Sequence, residues 1–192
     1  MKRLVPITTL FVLAFLILGT SLFAQDDPAD SNNVSTADKH FVTEAAEGGL
    51  AEVELGQLAA NKASSQNVKD FGQKMADDHG KANQELKDCA QKLGIGIPDH
   101  MSATEMAEKA KLSAYSGSHF DRSYMAHLLA DHRQDIAAFK REAADGQNPE
   151  IKAFASKTLP TLEEHLRLAE QTERDIRRGS GPSSTSGGAA MR

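Results

Sequence analysis

Three histidines in this chain each follow an acidic residue, and each falls on an otherwise apolar helical stripe. The three pairs are Asp78-His79, Asp131-His132 and Glu164-His165. Glu52 occupies a comparable position in an earlier segment. Ionisable groups are costly on a core-facing surface unless they are paired or bind a metal. The pattern therefore predicts a polar site inside a helical protein.

Three imidazoles and the carboxylate of Glu52 form a ligand set suited to a single zinc, copper, iron or manganese ion. Asp78, Asp131 and Glu164 are the candidate outer-shell partners of that ion. Successive residues of a helix point about 100° apart, so each acid is expected to support a histidine on a neighbouring helix. The alternative is a metal-free layer, in which the same side chains form a hydrogen-bonded network that fixes helix register.

Helical spacing of apolar residues surrounds these positions. The stripe of the second predicted helix contains Val68, Phe71, Met75, His79, Ala82, Leu86, Cys89 and Leu93. Similar steps of three and four residues pass through His132 and His165, and a weaker stripe passes through Glu52. The sequence thus predicts an all-α fold, an antiparallel four-helix bundle with a short extra helix in the connection between helices two and three.

Capping residues predict where the helices begin. Ser35 or Thr36 opens the first helix and Ser65 the second, while Ser102 with Glu105 opens the short extra helix. Ser118 with Asp121 is a candidate capping box for the third long helix. Asn148-Pro149-Glu150 suits the start of the fourth, which continues to about Arg178.

The four polar positions have compatible heights in such a bundle. Measured from the turns, Glu52 and His79 differ by roughly 5 Å along the axis, and His132 and His165 by roughly 6 Å. A short internal echo supports two similar helix pairs, because Val68-Lys69-Asp70-Phe71 resembles Ile151-Lys152-Ala153-Phe154. The Gly48-Gly49 dipeptide predicts a close backbone approach in the first helix.

Both ends of the chain differ from its centre. Residues 1–24 place Lys2 and Arg3 before a short apolar run, which predicts a secretory signal peptide and a periplasmic or secreted location. Residues 25–35 form a polar leader, 36–178 the bundle domain, and 179–192 a Gly- and Ser-rich tail expected to be disordered. Membrane attachment is expected only if the signal is not cleaved.

Composition excludes several classes of function. The net charge of −5 disfavours nucleic acid as a partner. The chain has one cysteine, Cys89, so it cannot form an intrachain disulfide. It carries no Gly-rich phosphate loop or nucleophile elbow, which disfavours nucleotide enzymes and hydrolases. The sequence therefore names no reaction and no protein partner.

The chain resembles the secreted bacterial proteins known as domain of unknown function 4142 (DUF4142), which are regarded as ferritin-like. The resemblance extends from about Asp38 to Arg177 and rests on these motifs: Glu52-Val53-Glu54-Leu55-Gly56, Asp78-His79, Phe120-Asp121, Tyr124, Asp131-His132 and Leu159-Pro160 before His165. It implies a ferritin-like fold and export, without an assigned activity.

One feature separates the chain from di-iron proteins of the ferritin type. Those proteins place a glutamate three residues before a histidine on two helices. Here the residues three before the histidines are Ala76, Leu129 and Leu162. A ferroxidase or di-iron oxygenase is therefore disfavoured, and a single-ion site remains the metal-binding hypothesis.

Overall fold

The computed structural model of the protein describes residues 34–179, and all of the regular structure there is helical. The helices are α1 (Thr36–Lys62), α2 (Gln66–Lys92), α3 (Ala103–Ala114), α4 (Gly117–Asp145) and α5 (Pro149–Gly179). The predicted signal peptide, the leader before Val34 and the tail beyond Gly179 lie outside the described residues. No helix within residues 34–179 combines the length and the apolar character that a membrane crossing needs.

Local capping explains three of the helix starts. Ser35 and Asp38 form a complete capping box at α1, with the Asp38 amide donating to Ser35 Oγ over 3.0 Å. Ser102 Oγ accepts a hydrogen bond from the amide of Glu105 at the start of α3. At the start of α5, Asn148 Oδ1 accepts hydrogen bonds from the backbone amides of Glu150 and Ile151. These predicted starts are confirmed.

The capping box predicted at Ser118 and Asp121 is wrong. Helix α4 begins at Gly117 without a side-chain cap. Asp121 instead accepts hydrogen bonds from the amides of Ser64 and Ser65, each 2.9 Å long, and from the Ser64 hydroxyl. The carboxylate therefore satisfies the free amides of the α1–α2 turn, which lies far away in the sequence.

Asp38 makes the corresponding contact at the other end of the molecule. Its carboxylate accepts hydrogen bonds from the amides of Gln147 and Asn148 in the α4–α5 turn, at 3.1 and 2.9 Å. We call these two contacts the Asp38 clasp and the Asp121 clasp. Each clasp joins the first turn of one helix pair to the turn of the other pair.

Packing is closest within two helix pairs, α1 with α2 and α4 with α5, while α2 also packs on α5. A Cβ atom at Gly56 would lie 2.6 Å from the carbonyl oxygen of Gly72. Glycine at both positions therefore allows α1 and α2 to touch through their backbones. Of the predicted Gly48-Gly49 pair, Gly49 lies against the Asn83 side chain, whereas Gly48 faces open space.

Two apolar clusters fill the interior. One contains Leu55, Met75, Leu128 and Ala169, and the other contains Ala46, Leu86, Ile136 and Leu162. In each long helix, the polar residue singled out by the sequence falls between a residue of one cluster and a residue of the other. Glu52 and the three histidines therefore form a polar layer between two apolar regions.

Candidate metal centre

The polar layer is almost completely removed from solvent. His132 is 0% exposed, His165 and Glu52 are 1% exposed, and His79 is 6% exposed. Helices α2, α4 and α5 contribute one histidine each, and α1 contributes Glu52. Burial of four ionisable groups in one layer requires that they satisfy each other or bind a cation.

The three histidines lie close together. Their ring centroids are 5.2 to 5.7 Å apart. One nitrogen from each ring can be chosen so that all three lie within 4.8 Å of one another. His132 Nε2 lies 3.3 Å from His165 Nδ1. Three donors in this arrangement match the protein ligands of a mononuclear metal site.

Acceptors at the outer ring nitrogens fix the orientation of two imidazoles. His132 Nδ1 lies 3.1 Å from the Leu128 carbonyl oxygen, and His165 Nε2 lies 3.2 Å from Asp78 Oδ2. A carbonyl and a carboxylate can only accept, so each outer nitrogen carries the proton. The inner nitrogens, His132 Nε2 and His165 Nδ1, are therefore unprotonated and direct their lone pairs at each other.

Asp78 is held by charges of its own helix. Lys74 and Lys81 contact its two carboxylate oxygens at 2.7 and 3.2 Å. Burial alone would raise the pKa of Asp78, but hydrogen bonds from Lys74, His165 and Lys81 lower it below the ordinary value. Asp78 is thus an anionic partner for a histidine of another helix, in the arrangement that the sequence predicted for an outer-shell acid.

His79 is the third member of the cluster and has no hydrogen-bond partner at Nε2 among the described residues, although that atom is buried. Burial lowers the pKa of His79 well below its ordinary value, and the neighbouring His132 and His165 lower it further. The ring is therefore neutral at physiological pH. A neutral, unpartnered imidazole nitrogen is available as a ligand.

Burial also keeps the other two rings neutral. It lowers the pKa of His132 from 6.5 to about 4, with a further contribution from His165. It lowers the pKa of His165 as well, although the hydrogen bond to Asp78 partly opposes the effect. Neutral imidazole is the form that binds metal ions.

Glu52 lies on the other side of His132. Its Oε1 atom is 3.3 Å from His132 Nδ1, the nitrogen that faces away from His165. Its closest group of metal-ligating side chains is formed with Asp131 and Asp135, not with the three histidines. The structure therefore brings Glu52 into the layer but beside the outer face of His132.

The two remaining predicted outer-shell acids have different surroundings. Asp131 lies against Glu52, whose pKa it raises together with burial. Glu164 lies on the surface, where its carboxylate forms a two-bond ion pair with Arg167 at 2.7 Å. Neither forms a described hydrogen bond with a histidine of the cluster, so Asp78 alone occupies the position expected of these acids within residues 34–179.

Sequence reasoning missed Asp135 and the buried hydroxyl of Tyr124. Asp135 follows Asp131 by four residues, so both lie on one face of α4, and this spacing could have identified the pair. Tyr124 is fully buried, and its hydroxyl has no described hydrogen-bond partner. Burial and the charge of Glu52 raise its pKa well above the ordinary value.

The all-helical fold has relatives among solved structures. A DUF305 fragment from Deinococcus radiodurans is 14% identical, with a TM-score of 0.64 over 76% of this chain and 98% of that one. A DUF305 protein from Streptomyces coelicolor, presumed to be secreted, is 15% identical, with a TM-score of 0.62 over 73% and 94%. A dodecameric thioferritin, the bacterioferritin-related protein of Bacteroides fragilis, is 20% identical, with a TM-score of 0.56 over 77% and 89%.

These likenesses define the class of the protein as all-helical with ferritin-like neighbours, and at such low identity they concern the fold alone. The sequence is more specific, because residues 23–172 match the family model described as domain of unknown function (DUF4142). The chain belongs to the DUF4142 family. No curated protein matches it.

Proposed function

We propose that this protein is an exported bacterial protein whose polar layer binds one transition-metal ion. His79, His132 and His165 are the ligands, and Asp78 holds the imidazole of His165 in place from outside. Zinc, copper, iron and manganese all accept imidazole nitrogen. The proposal assigns a binding function and no reaction.

A single observation carries the proposal. The inner nitrogens of His132 and His165 face each other across 3.3 Å, and His79, whose buried Nε2 has no described hydrogen-bond partner, belongs to the same cluster. Nitrogen lone pairs that face one another without a donor repel in a buried site, and a cation between them removes that cost. Nitrogens bound about 2.1 Å from one ion can be about 4.2 Å apart, so a small contraction of the cluster suffices.

The larger arrangement that we propose for these helices is an antiparallel, ferritin-like four-helix bundle over residues 36–178. Contacts across the α1–α2 turn support it, because Gly56 and Gly72 meet at equal sequence distances on either side of Ser64. The ferritin-like neighbours are compatible with it. In such a bundle the three ligands would join three helices at one height.

A periplasmic or secreted location is part of the same proposal. It rests on the signal-like sequence of residues 1–24, with residues 25–35 as a leader and 179–192 as a Gly- and Ser-rich tail. The presumed secretion of the Streptomyces coelicolor neighbour is compatible with it. Nucleic acid is not an expected partner of an acidic chain.

The hydrogen-bond chain from Asp78 through His165 to His132 favours a second candidate function. One shared proton between the two inner nitrogens would also relieve their repulsion. The layer would then be a metal-free network that fixes helix register in a structural or protein-interaction module of the cell envelope. Metal dependence separates the two candidates.

The test uses full-length protein purified without an affinity tag. Bound metal is measured by elemental analysis, and thermal unfolding is recorded with and without zinc or copper. Wild type should hold about one ion per chain, and the midpoint of unfolding should rise with the bound metal. His79→Gln should lose both properties, whereas His119→Gln, at an exposed histidine, should keep them.

Two results would contradict the metal proposal. The first is wild type isolated without metal and with the same unfolding midpoint in the presence and absence of zinc and copper; the second is full retention of the zinc or copper effect by His79→Gln. The first result favours the hydrogen-bonded network, and the second places any ion elsewhere. Binding should also weaken as the pH falls towards about 4, the lowered pKa of His132, because protonated imidazole does not bind metal.

A further inference from the structure

A second group of metal-ligating side chains lies on the side of His132 opposite to the histidine cluster. Glu52 from α1 and Asp131 and Asp135 from α4 each offer one carboxylate oxygen, and these three oxygens lie within 4.8 Å of one another. We call these three residues the acidic cluster. Oxygens bound about 2.4 Å from one ion can be separated by about 4.8 Å at most, so the spacing already suits a single cation.

Glu52 is the most deeply buried member of the acidic cluster. The side chain is 1% exposed, and neither of its carboxylate oxygens accepts a hydrogen bond from any described residue. His132 Nδ1 is 3.3 Å away, but that nitrogen also faces the Leu128 carbonyl and belongs to a ring that burial keeps neutral. An ionised carboxylate in this position is strongly destabilising, so Glu52 either keeps its proton or binds a cation.

The acidic cluster is reached from the surface through a negatively charged cavity. This cavity has a volume of ≈ 350 Å³ and is bounded by α1, α4 and the start of α3. Its charged lining residues are Glu44, Glu47, Glu105, Asp131, Asp135 and Arg141. Five acids against one arginine attract cations, and the space accommodates the water molecules that complete the coordination of a hard ion.

We propose that the acidic cluster is a binding site for a hard divalent cation of the manganese, calcium or magnesium class. Its ligands are the carboxylates of Glu52, Asp131 and Asp135, and water from the cavity supplies the rest. All of the protein donors are oxygen, which these ions prefer, whereas the histidine cluster offers nitrogen. The two sites are distinct, and this one does not depend on metal binding by the histidines.

The electrostatics of the cluster support the same conclusion. Burial raises the pKa of Asp135 from 3.8 to about 8, and the charges of Asp131, Glu105 and Glu44 add to the effect. Burial and Asp131 likewise raise the pKa of Glu52. These carboxyls repel one another when ionised, and a divalent cation would convert that repulsion into attraction.

Manganese is the first ion tested, and calcium and magnesium are tested in parallel. Binding is measured on the full-length chain carrying His79→Gln, so that the histidine cluster cannot contribute. Electron paramagnetic resonance counts free Mn²⁺, and thermal unfolding reports stabilisation. This background should bind one Mn²⁺, and adding Asp135→Asn or Asp131→Asn should weaken the affinity by at least about ten-fold.

Glu163→Gln in the same background is the matched control, because Glu163 is an exposed acid paired with Lys140. It should bind Mn²⁺ as tightly as the background does. Neither asparagine variant should impair folding, since each removes a charge from a repelling group. Each should unfold at a higher temperature than the background without metal and show a smaller rise on adding Mn²⁺.

The proposal is overturned if none of the three ions binds the His79→Gln background. It is also overturned if the Asp135→Asn and Glu163→Gln variants bind equally, because the ion would then lie outside the acidic cluster. Loss of Zn²⁺ binding in the His79→Gln background, with Mn²⁺ binding intact, would support both sites. If wild type binds Mn²⁺ but not Zn²⁺, the result supports the acidic cluster as a site and does not support the histidine cluster.

Discussion

The histidine cluster and the acidic cluster lie on opposite sides of His132, and burial affects them in opposite ways. In the histidine cluster burial removes protons, lowering the pKa of His132 to about 4. In the acidic cluster it retains them, raising the pKa of Asp135 to about 8. Both results follow from the cost of a charge in a poorly solvated interior.

The difference lies in where each cluster has its hydrogen-bond partners. The outer nitrogens of His132 and His165 have acceptors, the Leu128 carbonyl and Asp78, so only the inner lone pairs lack a partner. Glu52 has no hydrogen-bond donor at either oxygen within the described chain. A cation would provide the missing partner in both clusters. Nitrogen ligands and oxygen ligands, however, select different ions.

Loss of His132 should have the largest effect, because this residue separates and contacts both clusters. His132→Ala leaves a cavity and removes the ring beside the buried Glu52, so we expect it to destabilise the metal-free protein by about 3 to 5 kcal/mol. Urea unfolding followed by circular dichroism measures this loss.

His79→Leu is the control for that experiment. Leucine conserves the volume of the side chain approximately and removes a buried nitrogen that has no partner, so its cost should stay below about 1.5 kcal/mol. Equal losses in the two variants would mean that His132 has no special position between the clusters.

A smaller effect, confined to the histidine cluster, is expected at Asp78. Asp78→Asn weakens the acceptor that orients His165, so the affinity for zinc should fall about 10- to 100-fold. Glu164→Gln, at the acid that pairs with Arg167 on the surface, should leave it unchanged. Calorimetric titration measures both affinities. Similar losses of zinc affinity in the two variants would show that the negative charge near His165 matters and that the hydrogen bond from His165 to Asp78 does not.

The smallest effect concerns the pH dependence of stability without metal. The folded-state pKa of His132 is depressed, so its contribution is present above pH 6.5 and lost as the pH falls towards about 4. The folded-state pKa of Asp135 is raised, so its contribution is present below pH 3.8 and lost as the pH rises through about 8. The two contributions oppose each other between these limits.

Asp135→Asn should therefore remove the loss of stability that wild type shows as the pH rises. It should keep the loss of stability at acid pH that comes from His132. The stability gain of the variant over wild type should be absent near pH 4 and should grow as the pH rises to 8. Unfolding free energies between pH 4 and 9 measure the change, with Glu163→Gln as the control. A constant difference between variant and wild type at every pH would rule out titration of Asp135 as the cause.

Helix positions were predictable because the signals that set them are local. Ser35, Ser102 and Asn148 are each followed within a few residues by the amides that they cap. The periodic apolar stripes likewise indicate which face of each helix is buried. His79, His132 and His165 could therefore be assigned to the interior from their spacing alone.

The rest depended on contacts between segments that are distant in the sequence. Asp121 has the spacing of a local cap, but its partners are in the α1–α2 turn. Asp131 was grouped with the histidines because it precedes one of them, yet the angle between adjacent residues directs it to Glu52. The side of His132 on which Glu52 lies follows from the packing of α1 against α4, which spacing within one helix does not encode.

The Asp38 and Asp121 clasps repeat at a constant interval along the chain. Asp38 and Asp121 are separated by the same interval as their partners, Ser64 and Ser65 in one turn and Gln147 and Asn148 in the other. The echo between residues 68–71 and 151–154 has that interval too. Each helix pair thus donates the amides of its turn to a carboxylate of the other pair, so both ends of the molecule are held by reciprocal contacts.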